Sequence, residues 1–142
     1  MGEADRAAYI FNLTDAALQE MISHCKKELP FEACGLLSGR KGISCTVWKM
    51  KNAERSPNSF SMNLNEIQQV FTQLEKMQQE FTGIYHSHPT DIAYPSPEDV
   101  LYNNYPDVVH IIISLASKKP IVKAFYIKGN KVIPCQINVT GN

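Results

Sequence analysis

Residues Phe81-Thr-Gly-Ile-Tyr-His-Ser-His-Pro-Thr-Asp-Ile-Ala-Tyr-Pro-Ser-Pro-Glu-Asp99 decide how this chain is read. A β-prone stretch runs to His88 and stops at Pro89, which has no N–H to give to a strand ladder. A loop over 90–95 follows. Ser96-Pro-Glu-Asp99 then opens a short helix, with serine as cap, proline at the first helical position and an acid at the third. That helix ends before Pro106, and Val108 to Leu115 is an apolar, β-branched run of the kind buried on both faces of a sheet. Strand, helix and buried strand in that order predict a sheet with helices on its faces.

Toward the N-terminus, Leu18, Met21, Ile22, Cys25 and Leu29 form one helical stripe that starts near Thr14 and stops at Pro30. Ala33 to Leu37 reads as a strand, Ser38-Gly-Arg-Lys-Gly42 as its turn, and Ile43 to Met50 as a hairpin partner burying Cys45, Val47 and Ile43. Residues 52–59 form a polar loop, and Phe60-Ser-Met62 is expected to be a brief strand. Asn63 caps a second helix with Glu66 three residues on and Ile67, Val70, Phe71, Leu74 and Met77 along one face. Ile121 to Ile127 and Lys131 to Val139 form a last hairpin across Gly129-Asn130. The expected fold is α/β: one domain over 1–142, a mixed β-sheet flanked by helices.

The 142 residues are 44% hydrophobic and 20% charged, with 14 basic residues against 14 acidic. A chain of this length buries roughly two-thirds of its unfolded surface, so it needs no staples to fold. The even charge removes general attraction to nucleic acid or an anionic membrane. Lys118, Lys119, Lys123, Lys128 and Lys131 read as a solvated hairpin face rather than a nucleic-acid track. No apolar run reaches the ~20 residues of a membrane span, and Met1-Gly-Glu-Ala-Asp5 lacks the order of a signal peptide. The expected location is the cytoplasm, with no membrane partner. Cys25, Cys34, Cys45 and Cys135 contain no Cys-x-x-Cys pair and are expected to stay reduced, packed as small hydrophobes.

Side chains alternate along a strand, so His86 and His88 project from one face while Ser87 points away. Two imidazoles one pleat apart reach a single metal ion, at the strand end where open α/β sheets place their sites. A catalytic zinc needs three protein ligands and an open position. The third would be Asp91, Glu98 or Asp99, and spacing alone does not choose among them.

His86-Ser-His88, Pro89, six residues, Ser96, two residues and Asp99 resemble the signature of the JAMM (MPN+) zinc metalloproteases. Glu32-Ala-Cys-Gly-Leu-Leu-Ser-Gly39 resembles the segment in which that family carries its catalytic glutamate. The likeness runs from about Leu13 to Val139 and implies the MPN, cytidine-deaminase-like architecture. It further implies that His86, His88 and Asp99 bind Zn2+. Glu32 would take the proton of the zinc-bound water and pass it to the leaving amine, and Ser96 would stabilise the oxyanion. Taken alone, Glu32 is a surface carboxylate beginning a strand; only the paired motif gives it a catalytic role.

The short connection from His88 to Asp99 resembles the compact prokaryotic type, which is associated with ubiquitin-like sulfur-carrier proteins ending in Gly-Gly. The implied activity is a zinc-dependent peptidase or isopeptidase acting at that Gly-Gly, with Phe60-Ser-Met62 offering a strand edge to the extended tail. A small-amide hydrolase using the same centre, and a non-catalytic MPN scaffold, are the competing classes. Nucleobase deamination does not fit, because the His-x-Glu and Pro-Cys-x-x-Cys pattern of the zinc deaminases is absent.

Overall fold

The computed structural model describes residues 9–141. Among them are seven strands and three helices, in the order β1 Ile10–Thr14, α1 Asp15–Glu28, β2 Cys34–Arg40, β3 Ile43–Met50, α2 Leu64–Lys76, β4 Glu80–His88, α3 Pro97–Leu101, β5 Val109–Ser114, β6 Ile121–Lys128 and β7 Lys131–Thr140. Local chemistry sets the helix starts. Thr14 holds extended angles and its side chain accepts from the Ala17 amide, while Asn63 accepts from the amides of Asn65 and Glu66. Leu29 and Pro30 lie just beyond the end of α1, whose last turn carries Lys26 and Lys27.

The strands are ordered β1-β3-β2-β4-β5-β6-β7, and β1 returns to pair with β7, closing the sheet into a barrel. The sheet is mixed: β1–β3, β1–β7 and β4–β5 are parallel and the remaining pairs antiparallel. Two cores result. Met21, Cys25 and Ala17 of α1 pack with Leu13, Leu37, Tyr85, Ile111 and Ile113 on one face. Ile67 of α2 packs with Cys34, Leu36, Met50 and Ile84 on the other. All of β5 is buried, as its β-branched run predicts. No helix among the described residues is long and apolar enough to cross a membrane.

Several local expectations are corrected. β1 precedes α1, where the hydrophobic stripe predicts only the helix; its Phe11 and Leu13 are buried, but five residues are too few for alternation to stand out. Phe60-Ser-Met62 is not a strand. The backbone of Ser61 is already engaged: its N–H donates to the Asn52 side chain and its carbonyl accepts from the Ala53 N–H. Cys45 is exposed rather than buried with Val47. Met77 caps the end of α2 and is 38% exposed, off the buried stripe.

Candidate metal centre

β4 delivers the histidines. His86 pairs with Cys34 on β2 and with Ile112 on β5, so it lies in the middle of the sheet, and His88 is the last residue of the strand. Both are buried, on the α2 side of the sheet with Ile84. Ser87 faces the other way, where its Oγ accepts from the Ala33 amide at 2.8 Å. α3 brings the carboxylate. Ser96 Oγ accepts the Asp99 amide at 3.1 Å and Asp99 Oδ2 accepts the Ser96 amide at 2.8 Å, a complete capping box that fixes the acid.

The three side chains converge. His86 Nε2 and His88 Nε2 are 3.1 Å apart, and each lies 3.2 Å from Asp99 Oδ2. Ligands at 2.0–2.1 Å in a tetrahedron are spaced by about 3.3 Å, so the cluster has the dimensions of one face of a zinc site. His88 Nδ1 lies 2.7 Å from the Ile92 carbonyl, which fixes its proton there and leaves the Nε2 lone pair for a cation. Burial alone would raise the Asp99 carboxyl, but the hydrogen bonds to His86 and His88 outweigh it and hold the group well below the usual carboxylate range. For His88, burial acts downward and is overcome by Asp99 and the Ile92 carbonyl, so its pKa rises.

Of the three carboxylates that spacing left open, Asp99 joins the histidines. Asp91 is exposed and turns back to accept its neighbour's amide from Ile92. Glu98 is exposed on the rim of the adjoining groove.

Glu32 is buried, with 4% exposure, and its Oε1 has no hydrogen-bond partner. Glu32 lies two residues before β2, and its carboxyl feels the charges of His88 and Asp99. Burial pushes its carboxyl up to about 8; His88 opposes the shift, while Asp99, Glu98 and Glu54 add to it. A buried carboxyl near His88 and Asp99, with a shifted pKa and an unused oxygen, is a candidate for proton transfer. Ser96 spends one oxygen lone pair on the helix cap and keeps its hydroxyl hydrogen free to donate, so capping and anion stabilisation are compatible.

A groove of about 450 Å³ adjoins the cluster, lined by Phe60, Met62, Ile67, Ile84, Tyr105 and His110 beside His86 and Asp99. Phe60 stacks on His86 with ring centroids 4.5 Å apart. Cys34 shares the histidine face, yet burial pushes its thiol up to about 12, so it carries no thiolate at neutral pH. Alkylation under native conditions is expected to label the exposed Cys45 and spare Cys25 and Cys34, leaving metal content and turnover unchanged. Mass mapping of the adducts beside an activity assay checks this; inactivation tracking Cys34 labelling overturns it.

Sequence reasoning missed the Ile92 carbonyl, the Phe60 stack and Ser114. Ser114 Oγ donates to the Asp91 carbonyl at 2.6 Å and so braces the turn that carries Ile92. A backbone acceptor has no sequence signature, but Ser114, ending an apolar strand, is a polar interruption that marks a bond to be made.

Residues 14–128 match the family model described as prokaryotic homologs of the JAB domain. The CysO-cysteine peptidase of Mycobacterium tuberculosis is 32% identical over 108 residues, 75% of this chain and 74% of that protein. A Thermus thermophilus protein described as a probable TtuB-protein conjugate cleaving protease is 31% identical over 84 residues, 58% of this chain and 56% of its own. The solution structure of protein DSY2949 from Desulfitobacterium hafniense superposes with a TM-score of 0.84 at 36% identity, covering 94% of each chain.

Proposed function

The chain belongs to the prokaryotic JAB-domain (JAMM) family of metallopeptidase homologues, and from that premise we propose that it is a cytoplasmic, zinc-dependent peptidase or isopeptidase acting at the C-terminal Gly-Gly of a ubiquitin-like or sulfur-carrier protein. The observation that carries this reading is the three-donor cluster His86, His88 and Asp99, with the buried carboxyl of Glu32, its Oε1 unpartnered, near enough to feel the charges of His88 and Asp99. His86, His88 and Asp99 hold the ion. Bound there, Zn2+ supplies a water of pKa about 7 and polarises the scissile carbonyl. Glu32 accepts a proton from the attacking water and returns it to the leaving amine. The Ser96 hydroxyl donates to the carbonyl oxygen as negative charge develops. The groove lined by Phe60, Met62 and Tyr105 receives the extended tail and excludes water from it.

The names of the two relatives support the substrate class, since one describes a peptidase of CysO-cysteine and the other a probable protease cleaving TtuB-protein conjugates. The test uses carriers ending in Gly-Gly from the source genome, each extended by a short peptide, with products weighed by mass spectrometry. Cleavage after the second glycine, abolished by chelator and restored by zinc, is the expected result. Failure on every carrier alongside turnover of small acyl-amides overturns the carrier assignment in favour of a small-amide hydrolase.

Ser96→Ala is expected to keep its metal and lose ~10²-fold in kcat, the scale of one missing oxyanion donor. Its lost cap costs about 1 kcal/mol, so the thermal midpoint is measured beside the rate. Unchanged kcat removes Ser96 from the chemistry.

A further inference from the structure

Asn52, two residues beyond the end of β3, lies outside the donor set and is 5% exposed. Its side chain makes four hydrogen bonds. Nδ2 donates to the carbonyls of Glu32 and Ser59, both at 3.0 Å, and Oδ1 accepts from the amides of Glu54 at 3.0 Å and Ser61 at 3.2 Å. Both amide protons and both oxygen lone pairs are used. The opposite orientation would set the NH2 group against two N–H donors, so one orientation alone fits.

The loop over 52–61 thus grips Glu32 at both ends of its backbone. Asn52 holds its carbonyl, and the Ser56 carbonyl accepts its N–H at 2.8 Å. The far end of the same loop is the groove wall, where Ser61 is tied to Asn52 and Ala53, and Phe60 stacks on His86. One side chain therefore joins the wall that a bound tail presses against to the backbone that aims the carboxylate.

We propose that Asn52 is a positioning residue that sets Glu32 for proton transfer and couples it to occupation of the groove wall. The inference rests on the reading of Glu32 as the base. Two variants test it. Asn52→Ala removes all four bonds, and Asn52→Asp keeps both acceptor bonds but loses the donation to Glu32 and Ser59. The first readout needs no substrate: hydrogen exchange at the Glu32 amide is expected to accelerate at least tenfold in either variant, with β5 amides unchanged and zinc still bound at one per chain. The second is a cycle with Glu32→Gln on an extended Gly-Gly carrier. Asn52→Ala is expected to lower kcat 10–100-fold in the wild-type background and less than about twofold in the Glu32→Gln background, because the group it positions is gone. Equal losses in both backgrounds, unchanged exchange at Glu32, or loss of zinc from both variants overturns the proposal and makes Asn52 a residue of the fold alone. A fully active Glu32→Gln enzyme instead overturns the underlying base assignment.

Discussion

Glu32→Gln is expected to bind zinc at full stoichiometry and lose hydrolysis by ~10²–10⁴-fold, the range of a missing general base, because an amide cannot accept the proton. The same substitution should stabilise the metal-free protein. The Glu32 carboxyl is raised from 4.5 to about 8 by burial, so between those values the unfolded chain ionises while the folded one stays protonated. Stability therefore falls as pH climbs from about 4.5 to 8, and glutamine removes that fall. The difference in the metal-free state should be absent near pH 4 and reach on the order of a few kcal/mol at pH 8, since each tenfold change in proton affinity is worth about 1.4 kcal/mol. A divalent cation in the neighbouring cluster favours the ionised carboxyl and draws its pKa back toward neutrality, where a base is useful. Thermal melts of the metal-free proteins at pH 4, 6 and 8, beside turnover of the loaded ones, check both halves. An active Glu32→Gln enzyme removes the base role, whereas an inactive one with flat stability refutes only the burial argument.

Asp99→Ala should take zinc from one ion per chain to nearly none, with activity at background. Its Oδ2 is the only carboxylate oxygen placed within 3.2 Å of both histidine Nε2 atoms among the described residues. Removing it also removes half of the α3 capping box, at about 1 kcal/mol. Asp99→Asn keeps an oxygen for the Ser96 amide while removing the charge, and so separates the two losses. Asp91→Ala is the control and should retain its metal, because that side chain serves only the local turn at Ile92. Metal analysis of the purified variants decides the assignment. Zinc retained by Asp99→Ala and lost by Asp91→Ala would reverse it.

The centre was legible in the sequence because its donors come from short, strongly punctuated segments. Pro89 ends the strand just after His88, and Ser96-Pro97 starts the helix three residues before Asp99, so the spacing dictates where each donor falls. The choice of Asp99 over Asp91 was not in the spacing; it came from the family resemblance, and the geometry agrees with it. Glu32 looked like a surface acid because local pattern carries no information about what a neighbouring strand buries, and the pairing of β2 with β4 decides that. Cys45 misleads for a similar reason. The register of β3 against β2 shifts at Ser38/Gly39, and a one-residue slip exchanges the two faces of a strand. The Asn52 hub was not legible: residues 52–59 read only as a polar loop, and the bond that matters, to the Glu32 carbonyl, joins segments 20 residues apart whose meeting only the fold decides.

The pairing of β1 with β7 has a consequence for how the chain is made. Asn12 and Asn138, whose side chains meet at 2.9 Å across that seam, are 126 residues apart. A nascent chain carries β1 without its last partner until nearly all of it has been synthesised. During that interval β1 and β6 present rows of unsatisfied amides and carbonyls, the kind of template that recruits neighbouring chains. Pairings this distant also form slowly, in milliseconds to seconds rather than microseconds. A chain cut short before Lys131 keeps Glu32, His86, His88, Ser96 and Asp99, yet it is expected to accumulate in inclusion bodies, so a strand that supplies none of these residues governs the yield of folded protein.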